Sequence, residues 1–326
     1  MNAAFINNIF NAVPASFPGL ALEIFQFQYQ YNELYRNFVK NLGVKKELVN
    51  TPEKIPFLPI SFFKTHTIKT TSFESDLVFA SSGTTQSITS FHYIKDAAVY
   101  KRSFMQFFEE TYGNTSNWCV LALLPSYLER NNSSLVFMAD ELIKESKNPD
   151  SGFYLNEFEK LYTTLKKMED NHQPTILIGV TFALLDFFEK HALPLHHTVV
   201  METGGMKGRR KEWTRQEVHS FIKSKTGLKN IHSEYGMTEL LSQAYSKGNG
   251  IFQCSEWMKV LVREEDDPLT VNTKGRGVIN VIDLANIYSC SFIATDDAGV
   301  IYDDGSFEII GRVDNSDIRG CSLMTV

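Results

Sequence analysis

The sequence predicts an α/β protein with a mainly parallel sheet flanked by helices and a β-rich part towards the C-terminal end. Three observations predict it. Through the middle of the chain, short apolar runs alternate with amphipathic stretches of helical period, the pattern of a layered α/β architecture. The opening segment carries apolar and aromatic side chains at helix spacing. After about Phe252 the pattern shortens into β segments broken by turn signals. The chain thus divides into a helical segment over 1–70, an α/β core over 71–250 and a β-rich subdomain over 251–326 that ends in a cysteine-bearing tail.

In the opening segment Pro14 and Pro18 break the chain, after which Ile24, Phe27, Tyr31, Leu34, Phe38 and Leu42 recur on one helix face. The runs Leu77 to Ala80, Cys119 to Leu124, Thr175 to Val180 and Thr198 to Met201 read as strands. Helices are expected at Asp96 to Tyr112, Ser133 to Lys147, Leu155 to Met168, Phe182 to His191 and Thr214 to Thr226, the first with Asp96 as its N-cap. Helical connections make the strands mainly parallel. In the last part, Lys274-Gly275-Arg276-Gly277 and Asp303-Asp304-Gly305 are the turn signals.

With 326 residues, 43% hydrophobic and 21% charged, the composition is that of an ordinary globular protein that can bury a sizeable core. Its 25 phenylalanines imply ring-lined interior space, which suits an apolar ligand. The net charge of -6, with lysine and arginine dispersed along the chain, speaks against a nucleic-acid partner. Only Lys207 to Lys211 is densely basic, and such a run usually forms a solvated loop. Cys119, Cys254, Cys290 and Cys321 are too dispersed for a disulfide framework or a zinc site. Met1 to Leu22 lacks the features of a signal peptide and no stretch is suited to span a bilayer, so a reducing cytoplasm is the expected compartment.

Four short segments carry chemistry. Ser81-Ser82-Gly83-Thr84-Thr85 follows a predicted strand directly; small residues let backbone N–H groups converge on an anion while hydroxyls add donors. Glu202-Thr203-Gly204-Gly205-Met206 also follows a strand, and its paired glycines let backbone approach a flat ligand. Glu234-Tyr235-Gly236-Met237-Thr238-Glu239 offers a ring for a base, a hydroxyl for a phosphate and a carboxylate for Mg²⁺. Finally, Thr295-Asp296-Asp297-Ala298-Gly299 and Gly311-Arg312-Val313-Asp314 supply a carboxylate for ribose hydroxyls and an arginine for ribose or phosphate. Taken singly, each is as well read as a turn, a helix start or a surface ion pair.

Their order makes one signal of four. The series resembles the motifs of the acyl-adenylate-forming superfamily, which includes acyl-CoA synthetases and nonribosomal adenylation domains. Within it, Leu124-Pro-Ser-Tyr-Leu-Glu-Arg130, Met201-Glu-Thr-Gly-Gly-Met-Lys-Gly-Arg-Arg-Lys-Glu212 and Ser233-Glu-Tyr-Gly-Met-Thr-Glu239 look most like LuxE-type acyl-protein synthetases, a likeness that runs from about Thr71 to the C-terminus. The resemblance implies an adenylate-forming large-domain fold that takes ATP, Mg²⁺ and a carboxylic acid. It makes Ser81, Ser82, Gly83, Thr84 and Thr85 the phosphate loop and sets Gly204 and Gly205 along the adenine, with Tyr235 stacked on the base and Gly236 beside it. Thr238 would touch the α-phosphate, Glu239 would hold the metal, and Asp297 and Arg312 would hold the ribose.

Two departures qualify it. The usual phosphate loop continues with Gly and Lys, whereas here Gln86-Ser87-Ile88-Thr89 follows, so Lys207, Arg209 or Arg210 are candidates for the remaining phosphate contacts. Most relatives also carry a further C-terminal domain with a catalytic lysine, and this sequence stops at Val326. LuxE-type proteins carry an acyl-accepting cysteine near the C-terminus, a position that Cys321 matches; Arg319 beside it would favour the thiolate. The expected function is therefore ATP-dependent activation of a carboxylic, most simply a fatty, acid as acyl-AMP and its transfer to Cys321, with a partner protein giving or receiving the acyl group. The alternatives are an acyl-CoA, aryl-CoA or carrier-protein ligase and a nucleotide-binding scaffold without catalysis.

Overall fold

The computed structural model describes residues 3–81, 88–124, 132–204 and 213–313. The N-terminal part is helical: α1 (Ala3–Phe10), α2 (Phe17–Tyr31) and α3 (Glu33–Asn41), then β1 (Leu58–Pro59) and the short α4 (Phe62–Thr65). A hairpin pair, β2 (Leu77–Ala80) and β3 (Phe91–Ile94), leads to α5 (Ala97–Tyr112). The alternating part follows as β4 (Cys119–Leu123), α6 (Ser134–Ser146), β5 (Gly152–Phe153), α7 (Phe158–Asp170), β6 (Thr175–Val180), α8 (Thr181–Lys190), β7 (Thr198–Thr203), α9 (Arg215–Thr226) and β8 (His232–Tyr235). The remainder is β: β9 (Ala244–Ser246), β10 (Ile251–Cys254), β11 (Met258–Arg263), β12 (Val271–Asn272), β13 (Gly275–Asp283), β14 (Phe292–Ile301) and β15 (Phe307–Arg312).

One large sheet runs through both parts in the order β12-β11-β13-β14-β15-β10-β9-β8-β7-β6-β4-β5, with β1 beside β14. From β5 to β8 the strands are parallel, because each is reached through a helix. From β8 through β9 and β10 to β15 every pairing is antiparallel. Period-two alternation splits the parallel strands between two cores: Ile176, Ile178 and Met201 face one, Leu177 and Val200 the other. The first core takes α5 through Phe104, Phe107 and Phe108 and extends to the N-terminal helices and the last strands. Leu161, Leu184 and Ile222 of α7, α8 and α9 build the second.

The α/β class and the β-rich ending agree with the sequence reading, and Asp96 caps α5 by accepting from the Ala98 N–H at 2.9 Å. Two local expectations are corrected. The opening stripe is not one face of one helix, because the chain turns at Asn32, whose side chain accepts from Tyr35 N–H to start α3. Buried positions run instead through Ile24, Gln28, Asn32, Tyr35 and Val39, while Tyr31 is half exposed. Polar Gln28 and Asn32 hide that face from an apolar pattern. Strand β2 lies outside the large sheet and pairs antiparallel with β3, since the stretch between Ala80 and Phe91 is too short for a crossover helix.

Candidate functional site

The site is built where the carboxyl ends of β7 and β8 lie side by side, Thr203 opposite Glu234 in the register. Open α/β sheets bind ligands at such ends because the connecting loops diverge there. Beyond β7, Gly204 takes φ +74°, and a Cβ placed on it would meet none of the described residues within 4 Å. The Thr181 hydroxyl donates to the Gly204 carbonyl and holds the turn against α8. Under it, the buried Glu202 carboxyl would be raised by burial, but His219 and the Arg215 charge 3.2 Å away bring it below its ordinary value. Arg215 also donates to the Ile309 carbonyl and covers the Phe252 ring, so it ties β7 to β15.

From Tyr235, the last residue of β8, the chain carries Gly236, Thr238 and Glu239 across the strand ends. The Tyr235 ring is buried against Phe252 and the edge of Phe307, and its hydroxyl donates to Asp297 at 2.8 Å. Burial first, and then the Asp297 charge, raise the phenol well above its ordinary value. Asp297 on β14 faces Arg312 on β15 in the antiparallel register, with Nε 3.2 Å from its other oxygen. Both Asp297 oxygens are thus engaged, one by a buried ring and one by a guanidinium whose side chain is 83% exposed.

Glu239 is buried, and burial raises its carboxyl despite the lowering influence of the neighbouring Ser90 and of the Lys64 and Arg312 charges. Ser90 in turn donates its N–H to Ser81 Oγ at 2.9 Å and accepts the Ser81 N–H at 3.0 Å. Ser90 thus holds Ser81 on one side and neighbours Glu239 on the other. Ser82, Gly83, Thr84, Thr85, Gly205 and Cys321 lie outside the described residues, as do Lys207, Arg209 and Arg210. Of the other cysteines, Cys119 and Cys290 are buried and Cys254 is part-buried; desolvation pushes Cys119 up to about 11 and Cys254 and Cys290 up to about 12.

Sequence reasoning missed the groups that hold this segment in place. His92 of β3 sets Nδ1 2.8 Å from the Thr238 carbonyl and Nε2 2.9 Å from Asn286 Oδ1. Burial lowers the imidazole to about 4, so at neutral pH its single proton serves one of those two oxygens. Asn286 donates to the Glu239 carbonyl at 2.7 Å. Asp283 accepts from Leu241 N–H, Ser242 N–H, Ser242 Oγ and Ala285 N–H, and burial raises it to about 6. Gln28 of α2 closes the shell by donating to the Asn286 and Ile287 carbonyls and accepting from Ser291 N–H. The available signal was a polar residue inside an apolar strand, as with His92 and Asp283.

Among the described residues the rim thus brings together the Ser81 and Thr238 hydroxyls, the buried Glu239 carboxyl, and a carboxylate, Asp297, paired with an exposed arginine. Among the described residues no three metal-ligating side chains converge. Nor, among the described residues, is any helix long and apolar enough to cross a membrane.

Several solved structures share the fold. An ATP-bound MatB from Rhodopseudomonas palustris aligns with TM-score 0.56 at 18% identity over 74% of this chain and 49% of that one. The ATP-bound RpMatB-BxBclM chimera B3 aligns with TM-score 0.57 at 17% identity, over the same shares of each chain. FadD1 from Archaeoglobus fulgidus, a long-chain-fatty-acid-CoA ligase, aligns with TM-score 0.53 at 14% identity over 73% of this chain and 51% of that one. The chain spans about half the length of these proteins. No curated protein matches the sequence significantly. The family described as acyl-protein synthetase, LuxE, matches residues 16–325, nearly the whole chain, and to that family the protein belongs.

Proposed function

We propose that the protein activates a carboxylic acid with ATP and passes the acyl group to its own Cys321. The observation that carries the reading is that separated segments lie together, with Tyr235 joined to Arg312 through Asp297 and Ser81 bonded to Ser90, a neighbour of Glu239. Family membership supports the same chemistry.

In this reading a carboxylate oxygen of the acid attacks the α-phosphorus of ATP in line, the bond to the bridging oxygen breaks, and pyrophosphate leaves. Ser81 to Thr85 hold the phosphates, Thr238 meets the α-phosphate, and Gly204, Gly205, Tyr235 and Gly236 line the base. Asp297 exchanges its present partners for the ribose hydroxyls, which the exposed Arg312 can follow. Mg²⁺ held by Glu239 would neutralise charge on the departing pyrophosphate. The Cys321 thiolate then attacks the acyl carbonyl, the carbon–oxygen bond to AMP breaks, and the thiol proton goes to solvent. A fatty acid is the simplest substrate, and a second protein would supply or collect the acyl group.

Acid-dependent exchange of labelled pyrophosphate into ATP, followed by mass spectrometry of the protein, tests both halves. Acyl-AMP together with a hydroxylamine-labile adduct on Cys321 is expected. Acyl-AMP that passes only to added CoA would make the protein a CoA ligase, and no exchange with any acid would make it a scaffold.

A further inference from the structure

The opening helical segment brings a cation to the activation site. Strand β1 lies parallel to β14, with Leu58 opposite Ile293 and Pro59 opposite Ala294, and the Ile60 N–H donates to the Ala294 carbonyl at 2.9 Å. The two strands run the same way, so α4 starts on the side towards which β14 carries Asp297. Within α4 the buried Phe63 ring stands at right angles to the His92 imidazole, centroids 5.6 Å apart. That imidazole reaches the Thr238 carbonyl at 2.8 Å. The helix is therefore packed on the group that supports Thr238 and Glu239, and its next residue, Lys64, is exposed.

The other cations around this place are engaged. Arg312 faces Asp297, and Arg215 faces Glu202. Lys69 covers the Phe73 and Tyr93 rings and donates to the Phe73 carbonyl, while Lys95 covers the Tyr288 ring. Lys64 differs from all of them. Its charge acts on the Glu239 carboxyl, yet it forms no ion pair and no side-chain hydrogen bond with the described residues. A lysine ammonium is a compact point charge suited to phosphate oxygens, and it needs no fixed fork geometry to follow them.

We propose that Lys64 binds the triphosphate of ATP and meets the phosphates that leave as pyrophosphate. The inference rests on the acyl-AMP reading, in which Thr238 meets the α-phosphate and the rest of the triphosphate extends past Glu239. As the bond from the α-phosphorus to the bridging oxygen breaks, negative charge gathers on the departing group, and a cation already in place stabilises it without reorganisation. No bond forms to Lys64. AMP, which lacks the leaving phosphates, should not depend on it.

Titration calorimetry of the full chain with ATP and with AMP, each with Mg²⁺, tests this without knowledge of the acid. Lys64→Gln should weaken ATP by about tenfold or more, the loss of one hydrogen bond to a charged group, and AMP by less than about twofold. Lys64→Arg keeps the charge and should recover most of the ATP affinity. In pyrophosphate exchange the glutamine variant should raise the KM for ATP and for pyrophosphate while the KM for the acid stays within about twofold of wild type. The side chain is exposed, so the melting temperatures of both variants should match wild type. Equal ATP affinity in wild type and Lys64→Gln, or equal weakening of ATP and AMP, overturns the inference and leaves the activation reading standing. A wild-type chain that binds neither nucleotide overturns both.

Discussion

The Tyr235 hydroxyl donates to Asp297 across 62 positions of sequence, and this single bond ties the end of the parallel sheet to the antiparallel strands that carry Arg312. The two partners of Asp297 differ in burial, and their contributions should differ accordingly. Tyr235→Phe leaves a buried carboxylate oxygen unmet and should lower the unfolding free energy by about 1.5–3 kcal/mol. Arg312→Ala removes an exposed partner and should cost less than about 1 kcal/mol. Urea unfolding of both variants checks the order, and equal losses would contradict it.

Glu239→Gln keeps the side-chain shape but removes the charge. Acid-dependent pyrophosphate exchange should fall at least 100-fold, while the circular dichroism spectrum and melting temperature stay close to wild type. Exchange within threefold of wild type would remove Glu239 from the metal site.

His92 gives stability a pH dependence of known sign. Its imidazole is lowered to about 4 in the folded chain from an ordinary 6.5, so between those values the unfolded chain binds the proton more readily. The stability tied to neutral His92 is complete above pH 6.5 and is lost as pH falls through 4. The change amounts to about 3 kcal/mol. His92→Gln does not titrate, so the difference in unfolding free energy between wild type and variant should shrink by that amount from pH 7 to pH 4. A difference that stays flat would show that the ring is not held neutral.

Cys321 should be the one thiol whose loss separates the two half-reactions. Cys321→Ser is expected to form acyl-AMP but no hydroxylamine-labile adduct. Serine at Cys119, Cys254 or Cys290 should lower stability without abolishing the adduct, since burial keeps those thiols protonated. Cys321 lies nine residues after Arg312, a reach of up to about 30 Å, which is ample for an intramolecular transfer. An adduct surviving in Cys321→Ser would move the acceptor elsewhere.

Much of the scaffold could be read from local pattern. Strand β6 begins and ends where the apolar run does, and Asp96 caps α5 because its side chain needs only a partner two residues on. The motif order likewise grouped Tyr235, Asp297 and Arg312, as a resemblance and not as geometry, and the structure puts the three in contact. What could not be read was the polar support. Thr238 is 146 positions from His92, and Gln28 and Asn286 are 258 apart, so neither pairing leaves a trace in any local window. Gln28 and Asn32 also interrupt the apolar stripe of α2 and α3, so the face that is most buried looks amphipathically wrong. Their polarity is explained by the turn they hold, on the far side of the sequence.

That clasp also sets an order of events during synthesis. Gln28 emerges from the ribosome early, whereas the Ser291 N–H that it accepts comes 263 residues later, roughly 13 to 50 s at ordinary elongation rates. Until then the apolar flank of α2, with Leu20, Ile24 and Phe25, waits without the strands that will cover it. The nascent chain therefore spends the synthesis of these 263 residues with the apolar flank of that helix uncovered by its final partners. Ribosomes stalled before residue 291 would leave that helix open to proteases, whereas chains released at full length would protect it.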